Sequence, residues 1–342
     1  MKKSKKLLLV SSNSIHTFNF YCLVKDYFSE ILIITDIRND LIPVEQVEFN
    51  FSIKNPVCFI KCLAPVKKII SDFNPDIVHC HQANTATFAV LLSYKIKSRI
   101  VFTAWGSDIL VNPYKNRFYR YMVKYILMHC SYFTSDSVYM AEKMSEFAEK
   151  KLDILIANFG IDIVPCNRVK EDIIYSNRLH NPLYRIDKII YAFHLFSKNN
   201  PTWKLVVAAV GSQTEKIKLL VNRLGIEDRV SFPGWIKKEI NEDFYCRAKV
   251  YVSIPESDAT SISLLEAMSA GCLPILSDLQ ANCEWITNGK NGIILKDVES
   301  DFFQQVISFT SDYLIVNKQI VLENATKKAN SDKYISLYNR IN

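Results

Sequence analysis

The sequence predicts an α/β protein with two doubly wound parallel sheets, and three observations support this fold class. Short runs of β-branched and aliphatic residues alternate with longer amphipathic runs, which is the pattern of βαβ units. The length of 342 residues suits two domains. A polar stretch at 167–172 interrupts the alternation near its midpoint. We therefore place a domain boundary at about 165–172 and expect two Rossmann-like domains facing a central cleft.

The first domain is predicted to span residues 1–165. Its lysine-rich start resembles the beginning of a signal peptide, but the apolar run that follows, Leu7 to Val10, is too short for a secretion signal and reads as a first strand. The predicted strands are Lys6–Ser11, Glu30–Thr35, Asp76–His79, Ile100–Thr103, Tyr132–Ser135 and Ile154–Ala157.

The second domain is predicted to span residues 172–321. Its strands are expected at Ile173–Ser176, Lys204–Ala209, Val230–Phe232, Val250–Ser253, Pro274–Leu276 and Gly292–Ile294. Helices of crossover length are predicted between strands, for instance at Ile186–Lys198, Glu215–Leu224, Ile262–Ala270 and Asp301–Phe309. The last segment, about 322–342, has a helical pattern and is expected to pack back on the first domain.

The composition excludes several classes of protein. Hydrophobic residues make up 49% of the chain and charged residues 23%, which is too apolar for a disordered protein. No window holds the roughly 18 consecutive apolar residues of a membrane-spanning helix. The nine cysteines include no C-x-x-C pair, so we expect reduced, buried thiols in a cytosolic protein and no metal site.

The positive charge is concentrated in the first domain. The net charge of +7 divides into +6 for residues 1–160 and +1 for the remainder. No nucleic-acid recognition motif accompanies this charge, so we expect no nucleic-acid partner. Residues 114–125 interleave lysine and arginine with tyrosine and phenylalanine, a composition that suits an anionic membrane surface. The alternative is a solvated cationic helix face with its aromatic residues in the core.

The most informative segment for chemistry is 253–271. A strand ends at Ser253, and a hydroxyl of Thr260 or Ser261 is placed to cap a helix that Gly271 ends. The first amides of such a helix bind phosphate. Because Asp258 and Glu266 flank these amides and carboxylates accept from sugar diols, the segment predicts a nucleotide-sugar site. The alternative is that Asp258 only caps a turn and Glu266 is a solvated helical residue.

The same segment carries a resemblance to a known family. Asp258-x₇-Glu266, followed by Ala-Met-Ser-Ala-Gly, resembles the E-x₇-E motif of the retaining glycosyltransferases of family four, with Asp in the first acid position. Further segments resemble this family in its own order, from about residue 7 to residue 295. They include Pro75–His81, Thr103–Ile109, Ser135–Ser137, Asn158–Asp162, Asn177–Leu179, Ile189–Phe193, Val210–Gly211, Val230–Trp235 and Ser277–Gly292.

The resemblance implies a GT-B fold and metal-independent transfer of a sugar from a nucleotide donor with retention of configuration. It assigns Glu266 to the ribose hydroxyls, Asp258 to the transferred sugar, and Arg178 to the charge of the leaving diphosphate. It also places the donor against the turns at Gly211 and Gly234 and against the backbone amides near Thr260–Ser263. The donor-binding residues it implies are Arg185, Gly211, Gly234, Trp235, Thr260, Ser261, Ile262, Ser263 and Leu264.

Three positions depart from the family pattern. The usual lysine before L-I-x-A-F falls on Tyr184, so Arg185 either takes over the cationic role or the site lacks that cation. Trp105 stands where the family often has a histidine that faces the sugar. The glycine-rich loop after the first strand is replaced by a segment that contains His16, which is either an acceptor-side group or a helix cap.

Two further residues complete the expected acceptor side. His79 and His81 are separated by one residue, and we expect His79 to be packed and His81, at the end of the strand, to face the acceptor. Asp108 lies in the Thr103–Ile109 segment and is assigned to the same side.

Taken together, these observations predict a hexosyltransferase of surface polysaccharide or O-antigen biosynthesis. We expect a UDP-sugar as co-substrate without a further cofactor, a glycan or lipid-linked acceptor, and a cytoplasmic protein held peripherally on the inner face of the membrane. Two alternatives stay open, namely a nucleotide-sugar epimerase or hydrolase on the same fold and a catalytically degenerate partner subunit that binds the donor.

Overall fold

A computed structural model describes residues 5–54, 56–94 and 96–341. The chain divides into two compact units, one made of the residues up to Gly160 and from Lys327 onward, the other of Ile161–Thr326. The first change of unit therefore precedes the expected boundary at 165–172. Among the described residues no helix combines the length and apolar character needed to cross a membrane.

The first unit is built on a parallel sheet of seven strands in the order β3-β2-β1-β4-β5-β6-β7. The strands are β1 (Lys6–Val10), β2 (Glu30–Thr35), β3 (Glu45–Glu48), β4 (Ile77–His81), β5 (Ile100–Thr103), β6 (Tyr132–Ser135) and β7 (Ile154–Ile156). The helices are α1 (Ile15–Val24), α2 (Pro56–Phe73), α3 (Thr85–Ser93), α4 (Ser107–Leu110), α5 (Asn112–Lys115), α6 (Arg117–His129) and α7 (Val138–Ala148), with 3₁₀ turns at Lys25–Tyr27 and Lys97–Arg99.

Burial explains which strands of this sheet could be predicted. Strands β1 and β4 lie inside the sheet and are almost wholly buried, as expected for a parallel sheet covered on both faces. The sequence analysis missed β3, whose sequence EQVE has no buried residue. It pairs only with β2 at the sheet edge, where a strand needs no continuous apolar run.

The second unit is built on a parallel sheet of six strands in the order β10-β9-β8-β11-β12-β13. The strands are β8 (Glu171–Ser176), β9 (Lys204–Ala208), β10 (Val230–Gly234), β11 (Ala248–Ser253), β12 (Leu273–Ser277) and β13 (Ile293–Leu295). The helices are α8 (Ile186–Ser197), α9 (Thr214–Arg223), α10 (Lys238–Arg247), α11 (Ile262–Ser269), α12 (Gln280–Cys283) and α13 (Tyr313–Asn324), with a 3₁₀ turn at Pro182–Tyr184.

One segment of the second unit that was predicted to be α-helical forms a 3₁₀ helix instead. Residues 301–309 were expected to be α-helical, but Phe302–Ser308 form a 3₁₀ helix. Phe302 and Phe303 are consecutive and both fully buried. Two adjacent side chains do not share one stripe of an α-helix, so burial of both is consistent with a local departure from α-helical geometry.

The C-terminal helix α14 (Lys327–Asn339) belongs to the first unit. The Tyr338 hydroxyl lies 2.7 Å from His79 Nδ1 on β4. The Asn158 amide donates to Asn330 Oδ1 at 2.9 Å, and Ser331 donates to the Leu23 carbonyl at 2.9 Å. The chain thus crosses into the second unit and returns to close the first.

The expectation of reduced, buried cysteines is wrong for part of the set. Cys166 and Cys246 form a disulfide within the second unit, and Cys283 is exposed. The sequence offered no signal for the pair because its members lie 80 residues apart and are brought together only when α10 packs beside the start of the unit.

Candidate functional site

The predicted donor residues of the second unit gather at the carboxyl end of its sheet. Strands β8 and β11 are hydrogen-bonded neighbours, so the segments after Ser176 and Ser253 lie side by side. Arg178 follows the first strand and Asp258 follows the second. This edge is where ligands bind in open parallel sheets.

Arg178 is the centre of a compact polar cluster. Its Nη2 donates to Asp258 Oδ2 at 2.7 Å, and its Nη1 donates to Ser261 Oγ at 2.8 Å. Its guanidinium stacks on the Tyr184 ring, 4.5 Å from the centroid. Among the described residues, none accepts a hydrogen bond from its buried Nε. The planar cation is thus held on several sides.

Burial and charge act in opposite directions in this cluster. Burial is the largest single effect on the pKa of Arg178 and lowers it, but the Asp258 carboxylate together with Tyr251 and Tyr184 raises that pKa above its ordinary value. Burial raises the pKa of Asp258 above its ordinary value, while Arg178 pulls it back. Arg178 therefore stays cationic in a poorly solvated place, beside the Asp258 carboxylate that balances its charge.

The helix that follows begins without a side-chain cap. Ser261 occupies the N-cap position of α11, but its hydroxyl accepts from Arg178 rather than from a helix amide. The predicted capping role of Ser261 or Thr260 is therefore wrong; Thr260 instead accepts from the Trp285 indole at 3.3 Å. The first amides, at Ile262 and Ser263, stay outside the helix's own ladder. Leu264 is fully buried in the core.

Glu266 is a half-buried residue rather than a solvated one. Its Oε2 accepts a hydrogen bond from the Tyr245 hydroxyl at 3.1 Å. Burial raises its pKa above the ordinary value, and the Tyr245 hydrogen bond acts in the opposite direction. Gly271, with a φ of +76°, ends the helix as predicted.

Arg185 donates hydrogen bonds to the backbone of the loop that follows β11. Its Nε donates to the Ile254 carbonyl and its Nη2 to the Pro255 carbonyl, both at 2.7 Å. These bonds fix the segment that leads to Asp258, so the structure shows Arg185 supporting that loop. Tyr184, at the position of the family's lysine, contributes the ring under Arg178.

The two predicted glycine turns differ in what they require. A Cβ at Gly211 would lie 2.6 Å from the His180 carbonyl atoms and from Asn181 Oδ1, so no side chain fits there. Gly234 has a φ of +71° with open space around it. Trp235, which follows, is 71% exposed, which leaves a large aromatic surface free at the end of β10.

Two aromatic rings pack against His16 in the first unit. The His16 ring stacks on Phe159 at 5.2 Å and meets Trp105 edge-on at 5.3 Å. Burial lowers the pKa of His16, which favours the neutral imidazole. The alternative of a helix-capping histidine is wrong, because Ser14 caps α1 by accepting from the Thr17 amide.

His81 and Asp108 are buried. His81 is fully buried. Its side chain is therefore not accessible to an acceptor, contrary to the expectation from the sequence. It packs against Phe20 and Trp105, and no described residue bonds either ring nitrogen. The Asp108 carboxylate accepts from the Ala83 amide at 2.8 Å and from the Trp105 amide at 3.0 Å. Asp108 thus joins the segments that follow β4 and β5.

Tyr245 is the residue of the site that the sequence analysis missed. It lies near the end of α10, and its contact with Glu266 depends on how α10 and α11 pack. No spacing in the sequence signals this contact. Among the described residues, no group of three or more His, Cys, Asp or Glu side chains could hold a metal ion.

Two family models match the chain. One, described as glycosyl transferases group 1, covers residues 164–329, and the other, described as glycosyl transferase 4-like, covers residues 5–137. An uncharacterised glycosyltransferase of Methanocaldococcus jannaschii is 22% identical over 303 residues, which are 75% of this chain and 73% of that protein.

Further likenesses come from Xanthomonas oryzae and Anabaena. The GDP-mannose:cellobiosyl-diphosphopolyprenol alpha-mannosyltransferase of X. oryzae is 27% identical over 101 residues, 29% of this chain and 26% of that protein. The structure of Anabaena HepE in complex with UDP superposes with a TM-score of 0.81 at 13% identity and covers 98% of this chain and 99% of that chain. The predicted GT-B fold is confirmed.

Proposed function

Because the chain belongs to the group 1 glycosyltransferases, we propose that it transfers a sugar from a UDP-sugar to a lipid-linked glycan with retention of configuration. Retention rests on the resemblance to family four, and UDP on the HepE complex. The lipid-linked acceptor rests on the diphosphopolyprenol named for the X. oryzae relative. Surface polysaccharide or O-antigen synthesis is the pathway that such an acceptor would serve.

One observation carries the proposal, namely that Arg178, Asp258 and Ser261 lie together at the start of α11, and that the same helix carries Glu266 about one turn further on. A diphosphate needs positive charge and amide donors, which Arg178 and the first turn of α11 offer. A ribose diol needs a carboxylate acceptor, which Glu266 offers. The cluster therefore matches the chemistry of a nucleoside diphosphate.

The departing diphosphate gains negative charge as the bond to the sugar breaks. In a poorly solvated site, a guanidinium stabilises that charge without moving a proton. The Asp258–Arg178 ion pair holds the cation in place before the donor binds. When a sugar hydroxyl takes up part of the Asp258 carboxylate, Arg178 can turn more of its hydrogen-bonding capacity to the phosphate oxygens.

The membrane-facing part of the proposal concerns α5 and α6 in the first unit. Tyr114, Phe118 and Tyr121 are 63%, 39% and 59% exposed, and Lys115, Arg117 and Arg120 are exposed beside them. An exposed mixture of cations and aromatic rings binds anionic headgroups and the interface below them. This surface would bring the protein to the inner face of a membrane that holds its acceptor.

A thermal-shift screen tests the donor. We expect UDP or a UDP-sugar to raise the melting temperature, because a ligand bound only by the folded state stabilises it. GDP and GDP-mannose are the comparison, since the X. oryzae relative is named for GDP-mannose. Stabilisation by GDP alone would replace UDP in the proposal, and stabilisation by no nucleotide would contradict it.

Product analysis separates an enzyme from its alternatives. With a responsive donor and a lipid-linked acceptor, we expect a new glycosidic bond with the donor's anomeric configuration, read by NMR. Inversion would contradict the retaining mechanism. Donor binding without any turnover would favour the degenerate partner subunit, and release of a free or epimerised sugar would favour the hydrolase or epimerase.

A further inference from the structure

A buried chain of hydrogen bonds lies beneath the Glu266 carboxylate. Tyr245 is fully buried, and its hydroxyl lies 3.1 Å from Glu266 Oε2 and 2.8 Å from Asn177 Nδ2. Asn177 Nδ2 also lies 3.1 Å from Asn241 Oδ1, which accepts from the Tyr175 hydroxyl at 2.6 Å. This chain of hydrogen bonds therefore links β8, the residue that follows it, α10 and α11.

The chemistry of these groups fixes the direction of each bond. An amide nitrogen only donates, so the Asn177 amide donates to the Tyr245 oxygen. A tyrosine has one hydroxyl proton, and the Tyr245 proton is therefore left for Glu266. Tyr245 keeps this proton because burial raises its pKa well above the ordinary value. Glu266 retains its other lone pairs for a ligand.

We propose that Tyr245 is a positioning residue for the donor, whose hydroxyl, held by Asn177, orients the Glu266 carboxylate toward the ribose. This inference rests on the proposed function, because it concerns the same nucleotide site. Tyr245 itself would not touch the donor. It would act by holding one carboxylate oxygen so that the other points at the ribose hydroxyls.

The ionisation of Glu266 provides a readout for this role. Glu266 faces Tyr245, Lys238 and Glu242 on α10, Asp162 on the segment before β8, and Tyr175 on β8. Burial raises the pKa of Glu266, and the charges of Glu242 and Asp162 raise it as well. The Tyr245 hydrogen bond and the charge of Lys238 lower it. Removing the Tyr245 hydroxyl should raise the pKa further, since a donor to the charged form is lost.

The effect of acidification on nucleotide binding follows from this pKa. The ribose hydroxyls need an ionised acceptor, so UDP affinity should fall as the pH drops through the pKa of Glu266. In Tyr245→Phe the fall should begin at a higher pH. Loss of the positioning bond should also weaken UDP binding by about tenfold at a pH where Glu266 is ionised in both proteins.

Calorimetry with UDP from about pH 5 to about pH 8 tests the inference on the full chain. The matched control is Tyr334→Phe, which removes another buried hydroxyl, bonded to the Ala157 carbonyl in the first unit, and should leave UDP binding unchanged. Tyr245→Phe should not move the pH profile in a Glu266→Gln background, which has no carboxylate to ionise. An unmoved profile with native Glu266, or an equal shift in both backgrounds, would overturn the inference.

A second measurement needs no nucleotide. Because the folded-state pKa of Glu266 is raised, the free energy of unfolding relative to Glu266→Gln should fall as the pH rises from the unfolded pKa to the folded one. Tyr245→Phe should extend this fall to higher pH. A curve that does not change overturns the inference even if UDP binds. Failure of the wild-type chain and of Glu266→Ala alike to bind any nucleotide would instead remove the proposed function.

Discussion

At the residue scale, Arg178 and Glu266 differ in how completely their hydrogen bonds are already used. Arg178 bonds both Asp258 and Ser261, whereas the Glu266 carboxylate bonds one side chain, Tyr245, among the residues that the structure describes. Under the proposed function, a donor would have to rearrange the Arg178 cluster, whereas its ribose would bind Glu266 without breaking a bond. We expect the two residues to affect different kinetic constants.

Arg178→Ala should lower kcat much more than it raises the KM for the donor. The charge on the diphosphate grows toward the transition state, so a cation that meets it is more important there than in the ground state. Removing Arg178 also leaves Asp258 as a buried, unpaired carboxylate, which is costly. Steady-state kinetics on Arg178→Ala and Arg178→Lys measures the effect.

The double variant Arg178→Ala/Asp258→Asn is the control for that unpaired charge. It should recover stability but little of the lost kcat. A variant that raises KM while it keeps the wild-type kcat would contradict a role for Arg178 in the transition state.

At the element scale, the turn between β9 and α9 depends on close backbone packing. A Cβ at Gly211 would lie 2.6 Å from the His180 carbonyl atoms, so Gly211→Ala must displace the turn that carries the predicted donor contacts. We expect a loss of about 1–3 kcal/mol in the free energy of unfolding together with weaker UDP binding. Denaturant unfolding and calorimetry measure the two effects.

Gly225→Ala is the matched control for this turn. Gly225 has a φ of +64° and open space around it, so the substitution should cost about 1 kcal/mol from backbone strain without affecting UDP. Equal UDP affinity in Gly211→Ala and the wild-type protein would remove the β9–α9 turn from the donor site.

A second element, α6, divides its aromatic residues between two faces. Tyr119 and Tyr125 pack against the core, whereas Phe118 and Tyr121 are exposed. The alternative with aromatic residues in the core therefore holds for Tyr119 and Tyr125 but not for Phe118 and Tyr121, and the membrane-surface interpretation stays a prediction. The exposed part retains the composition that would bind an anionic surface.

Replacing Lys115, Arg117, Arg120 and Lys124 by Gln should release the protein from anionic vesicles. Each cation near such a surface contributes about 1 kcal/mol, although Lys124 is already paired with Glu149 at 2.5 Å and should contribute least. Vesicle sedimentation measures binding. The attraction should weaken with salt, because the screening length falls from about 10 Å at 0.1 M to about 3 Å at 1 M.

The control for sedimentation is a variant of the second unit in which four other cations are replaced by Gln, so that the same charge is lost. Its positions are exposed cations, Lys198, Lys216, Lys218 and Arg223. It should sediment like the wild-type protein. If both variants lose binding equally, only the overall charge matters and α6 is not a membrane surface.

At the scale of the whole molecule, the first unit is completed by the end of the chain. His79 Nδ1 lies 2.7 Å from Tyr338 of α14, and His79 Nε2 lies 2.6 Å from Thr103. Burial lowers the pKa of His79 from 6.5 to about 3. The unit is therefore stable with a neutral imidazole at its centre, and protonation favours the unfolded state.

This histidine predicts how the first unit responds to acid. The unfolded state binds the proton below about pH 6.5 and the folded state does not, so the stabilising effect of a neutral His79 is complete above that pH and is lost as the pH falls toward about 3. The slope is about 1.4 kcal/mol per pH unit for this group. Unfolding monitored in wild-type protein and His79→Gln measures the difference.

As the pH falls from about 6.5 to about 3, the free energy of unfolding of the wild-type protein should fall more steeply than that of His79→Gln. Tyr338→Phe should lower the free energy of unfolding at neutral pH by about 1 kcal/mol. Parallel curves for wild-type protein and His79→Gln would show that this buried imidazole does not control the acid response.

The sequence by itself determined the alternation of strands and helices, the family, and the positions of the acids and the arginine after their strands. These features are local. A strand such as Ile100–Thr103 is rich in β-branched and apolar residues and is buried along its whole length, and the Asp258 and Glu266 spacing lies within one segment. The short polar strand β3 was missed because a sheet edge imposes no continuous apolar run.

Only the tertiary structure decided which partners these residues meet. Arg178 lies 80 positions from Asp258, Tyr245 lies 21 positions from Glu266, and Tyr338 lies 259 positions from His79. Such contacts depend on how strands and helices pack, and the periodicity of the chain carries no signal for them. The same holds for Ser261, whose hydroxyl bonds Arg178 instead of capping its own helix, because a charged donor from the segment after β8 competes for it.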